Sequence, residues 1–142
     1  MAASVISCGA LIYCISTDRY LFLLRSMGKY TNTWGIVGGK VDFQENIKQA
    51  LIREIQEELG GEIQGAKYIN VDKYESKNKD FAYYTFLVKV EQEFVPELNR
   101  EHKGYCWVKL QDLPKPIHPG LAMTINSKLK LQNLKILQTV KD

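Results

Sequence analysis

The sequence has too few cysteines, and too poorly spaced, to build a disulfide framework or a zinc site. Cys8, Cys14 and Cys106 are its only three, none forms a C-x-x-C pair, and an odd thiol is left over. They read as small buried hydrophobes of a protein in a reducing cytosol. There is no apolar run near the roughly 20 residues that cross a bilayer. The opening Met1-Ala2-Ala3-Ser4-Val5-Ile6 lacks the basic segment of a secretory leader and continues as a strand pattern. A cytoplasmic protein with no membrane partner is expected. Nor is there an excess of one charge: 19 Lys and Arg against 16 Asp and Glu leave +3, which neither demands nor excludes a polyanionic partner. No internal repeat or low-complexity segment occurs.

What is present is ordinary globular material. Of 142 residues, 45% are apolar, 25% charged and 11% aromatic, which excludes a disordered tail, a collagen-like repeat and a coiled coil. That length suits one core, so a single domain over 1–142 is expected. Segments 5–15 and 20–25 are rich in Ile, Leu, Val, Tyr and Phe around the turn-like Ser16-Thr17-Asp18-Arg19, predicting a strand pair. Residues 26–40 read as a glycine-rich loop ending in Trp34-Gly35-Ile36-Val37-Gly38-Gly39. Ile47, Leu51, Ile55 and Leu59 recur at helical spacing before Gly60-Gly61, predicting a helix over 46–59. Strands are expected over 67–74, 81–90 and 104–109, and after Pro114, Pro116 and Pro119 a second helix over about 121–137. The order ββ–α–βββ–α predicts an α+β fold, an α/β/α sandwich around a mixed β-sheet.

One stretch carries chemistry. Gly39 is followed after five residues by Glu45, after seven more by Arg53-Glu54-Ile55, then by Glu57-Glu58 and Gly60. At 100° per residue Glu57, Glu54 and Glu58 fall within an arc of about 100°, with Glu54 central. Like charges at i,i+3 and i,i+4 destabilise a bare helix by a few tenths of a kcal/mol per pair, so such a cluster invites a cation, and carboxylate oxygens suit hard ions such as Mg²⁺ or Mn²⁺. The plain alternative is the solvated face of an amphipathic helix. Chance does not explain the spacing: seven fixed identities at roughly 6% each coincide about once in 10⁹ starting positions.

The 23 residues from Gly39 to Gly61 resemble the Nudix box, glycine, five residues, glutamate, seven residues, Arg-Glu, an aliphatic, one residue, Glu-Glu, one residue, glycine, an aliphatic. Every fixed position is present. Gly61 replaces the final aliphatic, Gln44 stands where Gly commonly precedes the Glu, and Val37 where many members have Pro. The resemblance implies a Nudix fold and a metal-dependent hydrolase of nucleoside diphosphates linked to a second group. It implies metal ligation by Glu54, Glu57, Glu58 and the Gly38 carbonyl, with Mg²⁺ the expected ion and Mn²⁺ an alternative. Glu54 sits where some members have the base that deprotonates water, and Arg53 and Glu45 resemble the pair that orients helix and loop. Glu101, six residues before Trp107, is similar to a loop glutamate that adds a ligand or base, with Glu97 as alternative and a solvated carboxylate as the plain reading.

Outside the box the candidates are thinner. Trp34, Tyr30, Tyr83 and Tyr84 have flat faces on which a base stacks, Tyr83 and Tyr84 being expected in the core or on a sheet face. Arg25, Lys29, Lys40 and the Gly39 backbone flank the place where phosphates would lie. His102 and His118 read as surface or loop residues, His118 being the better candidate for substrate contact because its loop is rigid with proline. Lys128, Lys130, Lys135 and Lys141 are expected on the outside of the last helix, with no nucleic-acid site. Positions 76–79 read Ser76-Lys77-Asn78-Lys79, without the Pro of ADP-ribose hydrolases or the Tyr of dinucleoside-polyphosphate hydrolases, and the NADH-pyrophosphatase and coenzyme A signatures are missing. Nucleoside triphosphates or oxidised nucleotides, and ADP-ribose or dinucleoside polyphosphates, remain as substrates; a non-catalytic nucleotide- or protein-binding module is the alternative. A monomer or homodimer is expected.

Overall fold

A computed structural model describes residues 4–139. Met1 to Ala3, and Lys141 of the last-helix lysines, lie outside the described residues. The elements are β1 (Val5–Cys14), β2 (Arg19–Arg25), β3 (Trp34–Gly35), β4 (Val37–Lys40), α1 (Ile47–Leu59), β5 (Tyr68–Glu75), β6 (Phe81–Val90), β7 (His102–Val108), a 3₁₀ turn (Leu110–Asp112), α2 (Pro119–Ile125) and α3 (Lys128–Thr139).

β1 is the axis of the sheet. β6 runs parallel to it along its whole length, from Val5 opposite Phe81 to Cys14 opposite Val90, while the other pairings between these strands are antiparallel. This is the mixed sheet expected. Covered on both faces, β1 is nearly continuous in apolar residues and splits them by parity. Cys8, Ala10, Ile12 and Cys14 join Leu51 and Ile55 of α1 in one core. Leu11 and Tyr13 join Tyr20, Phe22 and Leu87 with Leu121 of α2 and Leu134 of α3 in the other. The result is an α+β sandwich with helices on both faces. Cys8 and Cys14 are buried as expected, and Cys106 is half-buried.

Two differences from the sequence reading place the site. The glycine-rich loop contains β3 and β4. The free edge of β1 pairs through Ile12–Cys14 with β2 but through Ser7–Ala10 with β4, and β2 in turn pairs through Leu23–Leu24 with β3. Strands β1 and β2 therefore splay apart, and Trp34–Lys40 fills the wedge between them. Strands of two and four residues carry no periodic signal, which is why this stretch reads as loop. The last helix is also interrupted: α2 closes at Asn126, and Ser127 starts α3, its hydroxyl accepting the Lys130 N–H at 3.3 Å. Among the described residues no helix is long and apolar enough to cross a membrane.

Candidate active site

α1 begins at Asn46, whose side chain accepts the Gln49 N–H while the Gln49 side chain accepts that of Asn46, a reciprocal capping box. It ends at Gly60, in the left-handed region at φ 83°, with its N–H on the Gln56 carbonyl. Gly61, in place of the box's final aliphatic, has open space where a side chain would be. Gln44 takes φ 70°, which fits a position where relatives commonly have Gly.

Between these ends α1 presses Glu54 and Glu58 against β4. Glu58 is 1% and Glu54 8% exposed, both far below what a solvated helix face shows. The Gly38 N–H points at Glu58 Oε1, 3.3 Å away. Both glycines are demanded by close approach, Gly38 to the backbone of β1 and Gly39 to Glu54 of α1. A Cβ on Gly38 would stand 2.1 Å from the Cys8 carbonyl oxygen, and one on Gly39 2.5 Å from the Glu54 carboxyl group. Burial, above all, and then the neighbouring Glu54 hold the Glu58 carboxyl well above the ordinary carboxylate range. Glu57 points outward, its side chain 49% exposed.

Arg53 ties helix to loop. Its Nε and Nη2 donate to the two oxygens of Glu45 at 2.7 and 3.0 Å, a bidentate fork, and Nη2 also reaches the Lys40 carbonyl at 2.9 Å. Nη1 donates to Glu54 at 2.8 Å and lies 3.4 Å from Glu57. Glu45 accepts the Asp42 N–H at 2.9 Å as well, and Arg53 holds its carboxyl below its usual range.

The other expected residues divide. Glu101 is exposed at the rim. Asn99 donates to it at 3.3 Å and to the Glu57 carbonyl at 2.9 Å, and the charge of Glu101 reaches Glu58. Glu97 lies instead against Gly60 at the end of α1, on a separate cavity. On the far side of the two glycines a cavity of about 500 Å³ is lined by Arg25, Tyr30, Gly38, Gly39, Lys40, Tyr83 and His118. Trp34, Tyr84 and Lys29 are not among its lining residues: Trp34 packs into the core beneath α2 and α3, and Tyr84 into the core beneath α1. His118 caps α2, its Nδ1 accepting the Gly120 N–H at 3.0 Å, and meets the Tyr30 ring edge-on at 4.6 Å.

Three placements depart from the sequence reading. Lys130 is not on the outside of the helix; it pairs with Asp72 at 3.0 Å in the cavity wall. His102 is not a surface residue but is buried at 7% exposure. Asp72, Tyr74 and Phe81, which no motif singled out, line the cavity because β5 and β6 carry them there; the aromatic alternation of β5 and β6 was the available signal.

Among the described residues no three His, Cys, Asp or Glu side chains already converge as a metal cage. Arg53 engages Glu54, and Gly38 engages Glu58. The donor set still fits a hard divalent cation: two buried carboxylates face each other on one helix, a third stands beside them in solvent, and all are oxygen donors.

A NUDIX domain model matches residues 7–126, and the chain belongs to the Nudix family as a Nudix hydrolase. It is 29% identical over 136 residues, 89% of each chain, to the nucleoside triphosphatase NudI of Escherichia coli. Among solved structures it is similar to a MutT NUDIX hydrolase from Burkholderia pseudomallei, with TM-score 0.67, 26% identity, and coverage of 87% of this chain and 97% of that one. The Nudix hydrolase RenU of M. smegmatis shares the fold with TM-score 0.79 at 18% identity, covering 100% of this chain and 92% of that one.

Proposed function

We propose that this hydrolase cleaves a phosphoanhydride bond of a nucleoside triphosphate with a divalent cation, Mg²⁺ or Mn²⁺, held by Glu54, Glu57, Glu58 and the Gly38 carbonyl. The observation that carries the reading is the shared wall: Gly38 and Gly39 touch Glu58 and Glu54 on one side and line the 500 Å³ cavity on the other. A nucleoside seated in that cavity would bring its phosphates to the carboxylates. One nucleoside fits such a volume better than the two of a dinucleoside polyphosphate. The nucleoside triphosphatase relative favours the same choice over ADP-ribose.

The cation would offset the charge of the diphosphate bridge and lower the pKa of bound water. The residues supply the rest. Glu54 takes the proton of the attacking water, and Arg53 holds that carboxylate in place through its fork on Glu45. Arg25 and Lys40, at the cavity wall, meet phosphate oxygens; the Arg25 Nε is buried without a protein partner. Water adds to phosphorus, the bridging P–O bond breaks, and nucleoside monophosphate and pyrophosphate leave.

A panel of triphosphates, 8-oxo nucleotides, ADP-ribose and dinucleoside polyphosphates, incubated with Mg²⁺ or Mn²⁺ and separated by chromatography, tests this. Pyrophosphate release from a triphosphate is expected; AMP with ribose phosphate would move the assignment to ADP-ribose. Glu57→Gln is expected to abolish hydrolysis, and unchanged turnover would sink the metal assignment. The non-catalytic reading wins if nothing in the panel is cleaved while a ligand still raises Tm.

A further inference from the structure

We propose that His102 is a positioning residue for the metal site, its Nδ1–H orienting the Glu58 carboxylate. The inference rests on the reading of Glu58 as a metal ligand and assigns the group that aims it.

Along β7, Cys106 and Val108 pack beneath α2 and α3 while Trp107 packs beneath α1, so even positions face away from α1. His102, also even, belongs by alternation on the face away from Glu58. The β2–β7 pairing shifts at this point: Leu23 lies opposite Tyr105 and Leu24 opposite Gly104, but Arg25 opposite His102, skipping Lys103. That bulge reverses the parity and delivers the imidazole to the α1 face. The irregularity is anchored from both sides, by the Ser26 N–H on the Glu101 carbonyl at 2.9 Å and the His102 N–H on the Asn99 carbonyl at 3.3 Å.

There His102 Nδ1 sits 3.9 Å from Glu58 Oε1, with side chains 6% and 2% exposed. Nδ1 is buried with no hydrogen-bond partner. A buried polar atom without a partner forfeits its hydration for nothing, so native structures seldom keep one without a use. The separation is too long for a hydrogen bond, and a shift of about 1 Å by the carboxylate closes it. Gly38 N–H on one side and His102 Nδ1–H on the other would then leave Glu58 one orientation, with its remaining lone pairs free for a cation. Outer groups that orient ligating carboxylates typically contribute 10–100-fold to metal affinity.

Asn and Gln separate this role from space filling. The Asn amide reaches the position of Nδ1, and the Gln amide that of Nε2. Mn²⁺ binding, followed by electron paramagnetic resonance without substrate, is expected to weaken 10–100-fold in His102→Ala and His102→Gln and to stay within about 3-fold of wild type in His102→Asn. Equal affinity in all four proteins overturns the proposal, as does His102→Asn binding as weakly as His102→Gln; if His102→Ala fails to fold, that Asn and Gln comparison decides. Wild-type protein that binds no Mn²⁺ overturns the metal reading of Glu58, and this proposal with it. Tight wild-type binding unaffected by the substitutions overturns only the role of His102.

Discussion

Adding one methyl group at Gly38 and one at Gly39 should damage two different things. At Gly38 the new Cβ would meet the Cys8 carbonyl oxygen at 2.1 Å and the Gly9 Cα at 2.7 Å. Both are backbone, so relief requires β4 to back away from β1 by roughly 1 Å, in the wedge that holds the sheet together. Overpacking of this kind costs about 1–3 kcal/mol or more. At about 2–4 °C per kcal/mol for a chain of this size, a 3 kcal/mol loss lowers Tm by roughly 6–12 °C. At Gly39 the obstacle is the Glu54 carboxyl group, at 2.5 to 2.8 Å, the far end of a flexible side chain. The carboxylate moves and the backbone stays. Stability should fall by about 1 kcal/mol, partly offset because Ala loses less backbone freedom than Gly in a strand. Displacing the proposed base by about 1 Å should cost on the order of 10²-fold in kcat. Thermal unfolding of both variants, with Mg²⁺-dependent turnover measured well below Tm, gives the comparison. A Gly38→Ala protein with wild-type Tm, or a Gly39→Ala protein with wild-type kcat, would refute the account of the glycine wall.

The Glu58 carboxyl is held above its unfolded-state value, so its contribution to stability is full below about pH 4.5 and is lost as pH rises through the folded value. Metal-free protein should therefore lose Tm from about pH 5 upward through neutrality, and Glu58→Gln should flatten that slope; a parallel slope in the variant counts against it. Arg53→Lys keeps the charge but cannot make the fork to Glu45 while also reaching Glu54 and the Lys40 carbonyl. It should lower kcat about 10–100-fold with little change in KM, and an effect confined to KM would reassign Arg53 to substrate binding.

The metal-site candidates were legible because their signal is local. Glu54, Glu57 and Glu58 share a helix face by arithmetic alone, and Asn46 and Gly60 mark the two ends of that helix. β1 and β6 were equally plain, since strands covered on both faces are continuous in apolar residues. The short strands β3 and β4, the break between α2 and α3, and the inward turn of Lys130 left no such mark. The short strands and Lys130 depend on partners elsewhere in the chain, Leu23 and Leu24 for β3, β1 for β4 and Asp72 for Lys130, while the helix break falls locally at Asn126 and Ser127.

Residue order alone thus decides which carboxylates stand together, where their helix starts and stops, and which faces are buried, because helical and strand periods act over a few residues. The fold decides how those carboxylates are used. Only the splaying of β1 and β2 makes room for Gly38 and Gly39 against Glu58 and Glu54, and only a one-residue bulge in β7 turns His102 toward the same carboxylate. A bulge reverses every expectation drawn from alternation, and its cause lies in pairing between strands about 80 residues apart, which no local pattern records.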